Sequence, residues 1–163
     1  MALNRFQKKS LRFGVQLYEN FIQDNGNNSE NIVFSPFLVH TALSLILIGA
    51  EGETQAEIGV VLKYGKNCAK MILLKLFPEI LLKIKMECGL IINNQIFVER
   101  GHNLRPGFVF VAETLFDTPV TEVDFNNKDA AVLEINKYVE SNTNGTIKNV
   151  ISPEDITQFT RAF

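Results

Sequence analysis

Apolar side chains recur at helical spacing near the start of the chain. Between Arg5 and Ile22 they fall on one side of a helix, while lysine, arginine and glutamine side chains fall on the other, which predicts an amphipathic helix. The polar stretch that follows, from Asp24 to Asn31, indicates a surface loop with a turn at Asn25-Gly26. The residues that we expect on the buried side of the helix are Phe6, Leu11, Phe13, Leu17, Tyr18, Phe21 and Ile22.

The stretch from Ile32 to Ala50 is almost continuously apolar. Its beginning, "NIVF", predicts a short strand, and Ser35 predicts the cap of a helix that has Pro36 at its first position. A helix from Pro36 to Ile48 would be about 20 Å long at about 1.5 Å per residue, whereas the hydrocarbon core of a membrane is about 30 Å thick. We therefore expect a helix at the centre of a globular domain and no membrane span. Its narrow polar stripe consists of His40, Thr41 and Ser44.

The rest of the chain alternates between helical and strand patterns. The segment "GLIINNQIFV" is apolar on both faces apart from the polar insertion Asn93–Gln95, which predicts a strand that is covered on both sides. In chain order the pattern predicts a helix at Gly52–Leu62 with Ile58, Val61 and Leu62 inward, a helix at Lys66–Lys85 that Pro78 bends or splits, a strand at Gly89–Val98, a short helix or turn at Arg105–Phe116, a strand at Pro119–Phe125, and a helix at Asp129–Asn142 packed by Val132, Ile135, Tyr138 and Val139.

Composition indicates one globular domain. The chain has 163 residues, 46% of them hydrophobic and 21% charged, and its net charge of −2 gives no global field for nucleic acid or an anionic membrane. Cys68 and Cys88 are too few for a disulfide scaffold and lack the spacing of a zinc site. Two cysteines could form one disulfide bond with each other, but two buried thiols are the favoured interpretation.

The sequence carries no motif of a nucleophile elbow, a phosphate-binding loop or a metal site, so it predicts no enzyme, no cofactor and no metal. We expect His40 to be a hydrogen-bonded core histidine, with a buried general base as the alternative. His102 lies in a polar turn and should be solvated. The lysine-bearing helix places Lys75, Glu79 and Lys83 on one face, which favours an ordinary solvated stripe over a polyanion-binding or membrane-surface helix.

The first residues, "MALNRFQKKSLRF", do not have the pattern of a signal peptide. Either the protein stays inside the cell or a leader is absent from this chain. Asn27 and Asn144 stand in glycosylation sequons, which matter only if the protein is secreted.

Three separated blocks, in the correct order, resemble the serpin family. "NIVFSPFLVHTALSLILIGAEGETQAEI" is similar to the family's segment of strand, Phe-Ser-Pro turn and buried helix. "INNQIFV" resembles a strand of the family's central sheet, and "VDFNN…INKYVESNTNGTI" resembles the block that contains the helix in front of that sheet. The blocks span most of Asn31 to Ile147, so the resemblance is specific.

The resemblance implies an α+β fold in which N-terminal helices pack around an incomplete central β-sheet. Residues 1–163 would be the N-terminal part of a single serpin domain. The helix after Ser35 would run behind the sheet, and Asp129–Asn142 would cross in front of it. The residues that the resemblance places in the shutter region, the point at which the serpin sheet opens, are Phe34, Ser35, Pro36, Thr41 and Asn94.

The chain departs from the family pattern in three ways. Leu38 stands where the family usually has a serine in the shutter, and Tyr138 replaces a usual tryptophan. The sequence ends at Phe163, where the family would begin its central strand. From this we expect a truncated chain without the reactive-centre loop that a target protease cleaves.

The resemblance implies inhibition of serine-type endopeptidases, with serine proteases as partners and an extracellular location. It implies an inhibitor and not an enzyme. The first alternative is a truncated, non-inhibitory serpin-like product. The second is an interaction module that binds polyanions or a protein partner through its exposed sheet edge and its lysine-bearing helix.

Overall fold

The structure, a computed structural model, describes residues 2–24, 32–88 and 92–163. The chain folds as two compact units, Met1–Gly89 and Leu90–Phe163. Among the described residues, no helix combines the length and the apolar character that crossing a membrane requires.

The described part of the first unit contains four helices. They are α1 (Ala2–Asp24), α2 (Pro36–Gly49), α3 (Gly52–Val61) and α4 (Lys70–Cys88). All four were predicted from the hydrophobic pattern, although α4 begins at Lys70 rather than Lys66. Pro78 lies inside α4 without splitting it. The missing N–H of Pro78 removes one helical hydrogen bond, while Leu76, Phe77, Ile80 and Leu81 around it are buried and hold the helix together.

The strand predicted at "NIVF" is wrong for its described residues, 32–34, which have no strand structure; Asn31 lies outside the described residues. A strand exists only where another segment completes its hydrogen bonds. In the described part of the chain, the segments that pair as strands lie in the second unit.

The buried side of α1 is narrower than the pattern predicts. Phe6 and Phe13 are buried, and Leu17 is half-buried. Leu11, Tyr18, Phe21 and Ile22 were also expected on the buried side, but they are exposed. In α2 the polar stripe is buried and an apolar residue is exposed. His40, Thr41 and Ser44 face the core, while Ile46 is 52% exposed. α1 packs on the side of α2 that carries His40, whose ring contacts Phe6 and Phe13.

The end of α3 explains a further correction. Leu62 is fully buried as expected, and Ile58 is half-buried, but Val61 is 52% exposed. The chain reverses immediately after Leu62, where Lys63 adopts a left-handed backbone with φ 63°. The N–H groups of Tyr64 and Gly65 both donate to the Gly59 carbonyl, so the turn folds back on Gly59 and leaves Val61 outside.

The second unit contains a two-stranded parallel sheet and two helices. Its elements are β1 (Ile96–Glu99), α5 (Pro106–Phe110), a π-helical turn (Val111–Leu115), β2 (Val120–Val123), α6 (Lys128–Asn142) and a 3₁₀ turn (Pro153–Asp155). Ile96 lies opposite Val120, and Glu99 lies opposite Val123. Val98 also forms an antiparallel bridge with Ala162 on the other side of β1. The predicted α+β class is confirmed.

Both strands are shorter than predicted. The strand expected at Gly89–Val98 begins only at Ile96, and residues 89–91 lie outside the described residues. The Ile96 N–H donates to the Pro119 carbonyl, but Pro119 has no N–H to donate to the next carbonyl along the ladder, that of Asn94. The parallel ladder therefore cannot extend past this point.

The core of the second unit lies between the sheet and α6. Its buried members come from β1, the end of β2, α6 and the segment that follows α6: Phe97, Val123, Phe125, Ala131, Ile135, Ile151 and Ile156. Val132 and Tyr138 pack against this cluster as predicted, and Val139 is half-buried. Asn127 caps α6 by accepting a hydrogen bond from the Ala130 N–H, so the helix begins one residue earlier than expected.

Candidate functional site

The start of α2 brings together four of the predicted shutter residues. Ser35 is the N-cap, with its hydroxyl oxygen accepting from the Leu38 N–H at 3.3 Å, and Pro36 occupies the first helical turn. This satisfies one of the N–H groups that a helix leaves unpaired at its start. The cap predicted from the sequence is confirmed.

Aromatic and close backbone contacts fix this turn against α1. The rings of Phe21 and Phe34 lie 5.1 Å apart in an edge-to-face arrangement. A Cβ atom on Gly14 would lie only 2.9 Å from Pro36 Cβ, so glycine allows the two helices to approach closely. Thr41 is buried one turn further along α2, and its hydroxyl donates to the Phe37 carbonyl at 2.8 Å.

The fifth predicted shutter residue, Asn94, lies in the other unit of the chain. Asn94 belongs to the second unit, where it is half-buried and lies two positions before β1 rather than on a strand. Its neighbours in the chain use their amides locally, since Asn93 donates to the Asn142 carbonyl and Gln95 donates to the Thr121 hydroxyl. Asn94 therefore remains a shutter residue by resemblance alone.

A buried polar cluster lies further along α2, where His40, Ser44 and Tyr64 meet. The Nε2 atom of His40 lies 3.3 Å from the Leu62 carbonyl oxygen, and Nδ1 lies 3.5 Å from the Tyr64 hydroxyl. The Ser44 hydroxyl donates to the His40 carbonyl at 2.7 Å and lies 3.2 Å from the Tyr64 hydroxyl. The prediction of a hydrogen-bonded core histidine is confirmed. Tyr64 is a member that the sequence pattern did not reveal.

Aromatic rings enclose this histidine. The rings of Phe6, Phe13 and Tyr64 have centroids 5.1–5.3 Å from that of His40. Burial lowers the pKa of His40 below its ordinary value, because a charged imidazolium loses hydration there. Burial likewise raises the pKa of the Tyr64 hydroxyl. The Lys9 ammonium lies 5.2 Å from the centre of the Tyr64 ring, a cation–π distance.

The geometry gives no support to His40 as a general base. The side chains of His40 and Ser44 are both fully buried, so no substrate reaches them. Ser44 directs its hydroxyl to a backbone carbonyl rather than to the imidazole ring. Within residues 2–24, 32–88 and 92–163, no group of three or more His, Cys, Asp or Glu side chains is placed to hold a metal ion.

The remaining candidate residues lie apart from this cluster. His102, Lys75, Glu79 and Lys83 are exposed as predicted. Asn144 is exposed in the turn after α6 with φ 52°, and Asn27 lies outside the described residues.

Cys68 has a free thiol that is half-buried rather than buried, and this burial raises its pKa. The side chain of Cys88 lies outside the described part of the chain. The prediction of two buried thiols is therefore not met at Cys68.

The first unit also contains an open apolar cavity of about 710 Å³. It lies between one side of α1, the segment Phe34–Phe37 and the second half of α4. Leu11, Val15 and Tyr18 line it, which explains why these residues remain exposed on α1. Lys83 contributes a cation at its edge and pairs with the Glu87 carboxylate at 3.9 Å.

Comparison with known proteins agrees with this fold. Human neuroserpin is 34% identical over 128 residues, which are 77% of this chain and 31% of that protein. The solved structure of cleaved Serpin 42Da matches with a TM-score of 0.86 and 27% identity, over 99% of this chain and 43% of the other. Native protease nexin-1, solved with heparin, matches with a TM-score of 0.79 and 26% identity, again over 99% and 43%.

The match extends along nearly the whole chain but over only part of each relative. The chain spans about a third of the length of the curated relatives it matches. The family model for serpin (serine protease inhibitor) covers residues 8–163. The chain belongs to the serpin family.

Proposed function

We propose that these residues form the N-terminal part of a serpin domain that inhibits serine proteases. The observation that carries the proposal is the continuous match of residues 8–163 to the serpin family, together with the arrangement of helices and strands. Inhibition in this family depends on a cleaved loop that inserts into the central sheet as a new strand. The chain contributes to such a sheet through β1, β2 and the segment that pairs with Val98. Its role is to be a binding partner of proteases and not an enzyme.

We further propose that Phe34, Ser35, Pro36 and Thr41 belong to the shutter of that sheet, with Asn94 contributing from the segment that leads into β1. The capped and tightly packed start of α2 supports this role, since a shutter needs a fixed base against which strands can move. Leu38 is half-buried beside this turn, in the place of the usual serine. The shutter of this chain would then depend on apolar packing where relatives use a hydroxyl.

The test uses the full product of the transcript that encodes these 163 residues. This product is incubated with trypsin-like, chymotrypsin-like and elastase-like proteases, followed by denaturing electrophoresis. The 163-residue chain alone is the matched control. We expect a stable band of protease plus inhibitor from the full product with at least one enzyme. If every protease leaves the full product either intact or simply cleaved, the non-inhibitory alternative replaces this proposal.

A second proposed activity is polyanion binding through α4. Lys75, Lys83 and Lys85 are exposed on this helix, and one solved relative was determined with heparin. Retention on a heparin column should fall steeply with salt, because each phosphate-like contact releases counterions. The double variant Lys75→Ala, Lys83→Ala should elute at lower salt than the wild type. Lys137→Ala, which removes an exposed cation from α6, should not change elution. Equal elution of all three proteins would contradict a site on α4.

An extracellular location is proposed from the family. The exposed sequon at Asn144 is compatible with it. Detection of the natural protein in conditioned medium tests the location, and recovery only from the cell interior would favour the intracellular alternative.

A further inference from the structure

A closed set of hydrogen bonds ties α2 to the turn after α3. The residues involved are 20 to 24 positions apart in sequence, so this set joins two separate elements of the first unit. We call this set of hydrogen bonds the tie. It consists of the side chains of His40 and Ser44 on α2 and of the Leu62 carbonyl and the Tyr64 hydroxyl on the turn. The turn itself is held on Gly59 by the N–H groups of Tyr64 and Gly65. A change in these hydrogen bonds therefore changes how firmly the connection between α3 and α4 is held against α2.

Counting hydrogens shows that the tie can hold either protonation state of the imidazole. The Leu62 carbonyl only accepts, so the Nε2 atom of His40 carries a hydrogen. Ser44 gives its single hydrogen to the His40 carbonyl. In the neutral ring, Nδ1 competes with the Ser44 oxygen for the one hydrogen of Tyr64. In the charged ring, Nδ1–H donates to Tyr64, and Tyr64 donates to Ser44, so that each hydrogen has one acceptor.

The surroundings oppose the charged state. His40 is fully buried among the rings of Phe6, Phe13 and Tyr64. From α1, Lys9 adds a positive charge that acts on the imidazole. From the connection after α3, the titratable group that faces the imidazole is the Tyr64 hydroxyl. Cys68 acts electrostatically on Tyr64, and Lys9 and Lys70 act on Cys68. No other residue of α2 is ionisable, as its sequence PFLVHTALSLILIG shows.

We propose that His40, Tyr64 and Ser44 form a proton-sensitive tie that holds the turn after α3 on α2 at neutral pH and loosens this attachment in mildly acidic solution. Protonation places a charge in a buried site lined by aromatic rings. Among the described residues, the hydrogen-bond partner of Nδ1 is the Tyr64 hydroxyl. The Tyr64 hydroxyl is the acceptor that allows the folded unit to hold the added proton on Nδ1. The tie is a property of this chain's own residues and does not depend on protease inhibition.

The direction of the pH effect follows from linkage. The pKa of His40 is lowered in the fold, whereas the unfolded chain takes up its proton near the ordinary value of about 6.5. Below that value the unfolded state binds more protons than the folded state, so stability falls as pH falls. Each pH unit over which only the unfolded chain is protonated raises the unfolding constant about tenfold. As pH falls, the loss of folding stability begins near pH 6.5 and ends at the pKa that His40 has in the folded protein.

The test follows the 163-residue chain between pH 7.5 and 5.5. Urea unfolding midpoints and amide exchange at Tyr64 and Gly65 are measured for the wild type, His40→Gln, Tyr64→Phe and the control His102→Gln. We expect stability and amide protection to fall with pH in the wild type and in His102→Gln. His40→Gln should show a nearly flat profile over this range, since glutamine donates to Leu62 without titrating. Tyr64→Phe should show the steepest fall, because Nδ1–H then has no acceptor.

A second measurement keeps the proposal testable if His40→Gln does not fold. The chain has two histidines, so the ring C–H signals in a proton NMR titration can be assigned with His102→Gln. The His40 signal should titrate below pH 6.5, and lower still in Tyr64→Phe. Parallel pH profiles for the wild type and His40→Gln would overturn the proposal, as would a His40 signal that titrates at or above the ordinary value.

Discussion

The carbonyl oxygen of Gly65 lies 2.5 Å from the position that a Cβ atom on Gly59 would occupy. The same two residues are joined by a hydrogen bond from the Gly65 N–H to the Gly59 carbonyl at 2.9 Å. This close approach folds the chain back over the end of α3, and it places Leu62 and Tyr64 beside His40. A glycine at position 59 is therefore a condition for the buried polar cluster.

Gly59→Ala should destabilise the first unit by about 1–3 kcal/mol, the range for overpacking a close contact. The clash is with backbone, which cannot rotate away as a flexible side chain can. Urea unfolding measures the loss. Gly107→Ala is the control, because its added Cβ would meet no atom within 4 Å apart from its chain neighbours and its own helix backbone, and alanine has the higher helix propensity. A Gly59→Ala protein as stable as the wild type would mean that the turn after α3 is not packed as described.

Ser35→Ala should cost about 1 kcal/mol of stability, because it removes the N-cap of α2 and leaves the Leu38 N–H without its partner. The matched control is Ser10→Ala inside α1, where alanine should be neutral or slightly favourable. The comparison is made by thermal or urea unfolding of the 163-residue chain. Equal stability of both variants would show that solvent replaces the serine at the cap.

Leu38→Ser tests the proposed shutter. The leucine is half-buried, so its replacement should cost roughly half of the 1.5–3 kcal/mol that a fully covered leucine contributes. In a protein that joins these residues to the rest of a serpin sheet, the new hydroxyl would find polar partners and the loss should be smaller. Unfolding midpoints of the two proteins give the comparison. The same loss in both would make Leu38 an ordinary packing residue and would remove it from the shutter.

Asp155→Asn should flatten the acid dependence of the second unit. The Asp155 carboxylate accepts from the backbone N–H of Ser152 at 2.8 Å and from its hydroxyl at 2.9 Å, and these bonds lower its pKa. A lowered carboxylate pKa adds stability above the ordinary value, and that contribution is lost as pH falls through the folded value. The unfolding midpoint is followed from pH 5 to pH 2.5, with Glu154→Gln as the neighbouring control. Identical acid profiles for the wild type and Asp155→Asn would contradict the role of this cap.

Asn144 should accept a glycan when the chain is directed through a secretory pathway with an added leader. Its side chain is exposed in a turn, and asparagine tolerates the left-handed φ of 52° found there. Mass spectrometry of the secreted chain gives the occupancy. Thr146→Ala removes the sequon without changing Asn144, and it should abolish the modification at this site. An unmodified Asn144 in the parent chain would show that the turn is not accessible to the transferase.

Local pattern predicted the helices well and the strands poorly, for a physical reason. A helix completes its hydrogen bonds within its own segment, so periodicity and the Ser35-Pro36 cap were enough to place α2. A strand depends on a distant neighbour. Nothing in "NIVF" or "GLIINNQIFV" shows that the pairing with β2 stops at Pro119.

The candidate site was predictable in part. His40 could be assigned to the core because apolar residues surround it in the sequence. Its partner Tyr64 lies 24 positions away, in a turn whose position depends on Gly59, and no spacing rule connects the two. The side of α2 that α1 covers was also hidden, because a helix that is apolar nearly all round gives no signal of which side its neighbour will pack on.

The bridge between Val98 and Ala162 has a consequence for the order of events during synthesis. β1 leaves the ribosome well before its second neighbour, since Ala162 follows Val98 by more than sixty residues. At the usual elongation rate of about 5–20 residues per second, that edge of β1 stays open for several seconds or longer. Its N–H and C=O groups can meanwhile pair with any extended segment nearby. The nascent chain is therefore exposed to mispairing along this edge of β1 in the interval before residues 161–163 emerge.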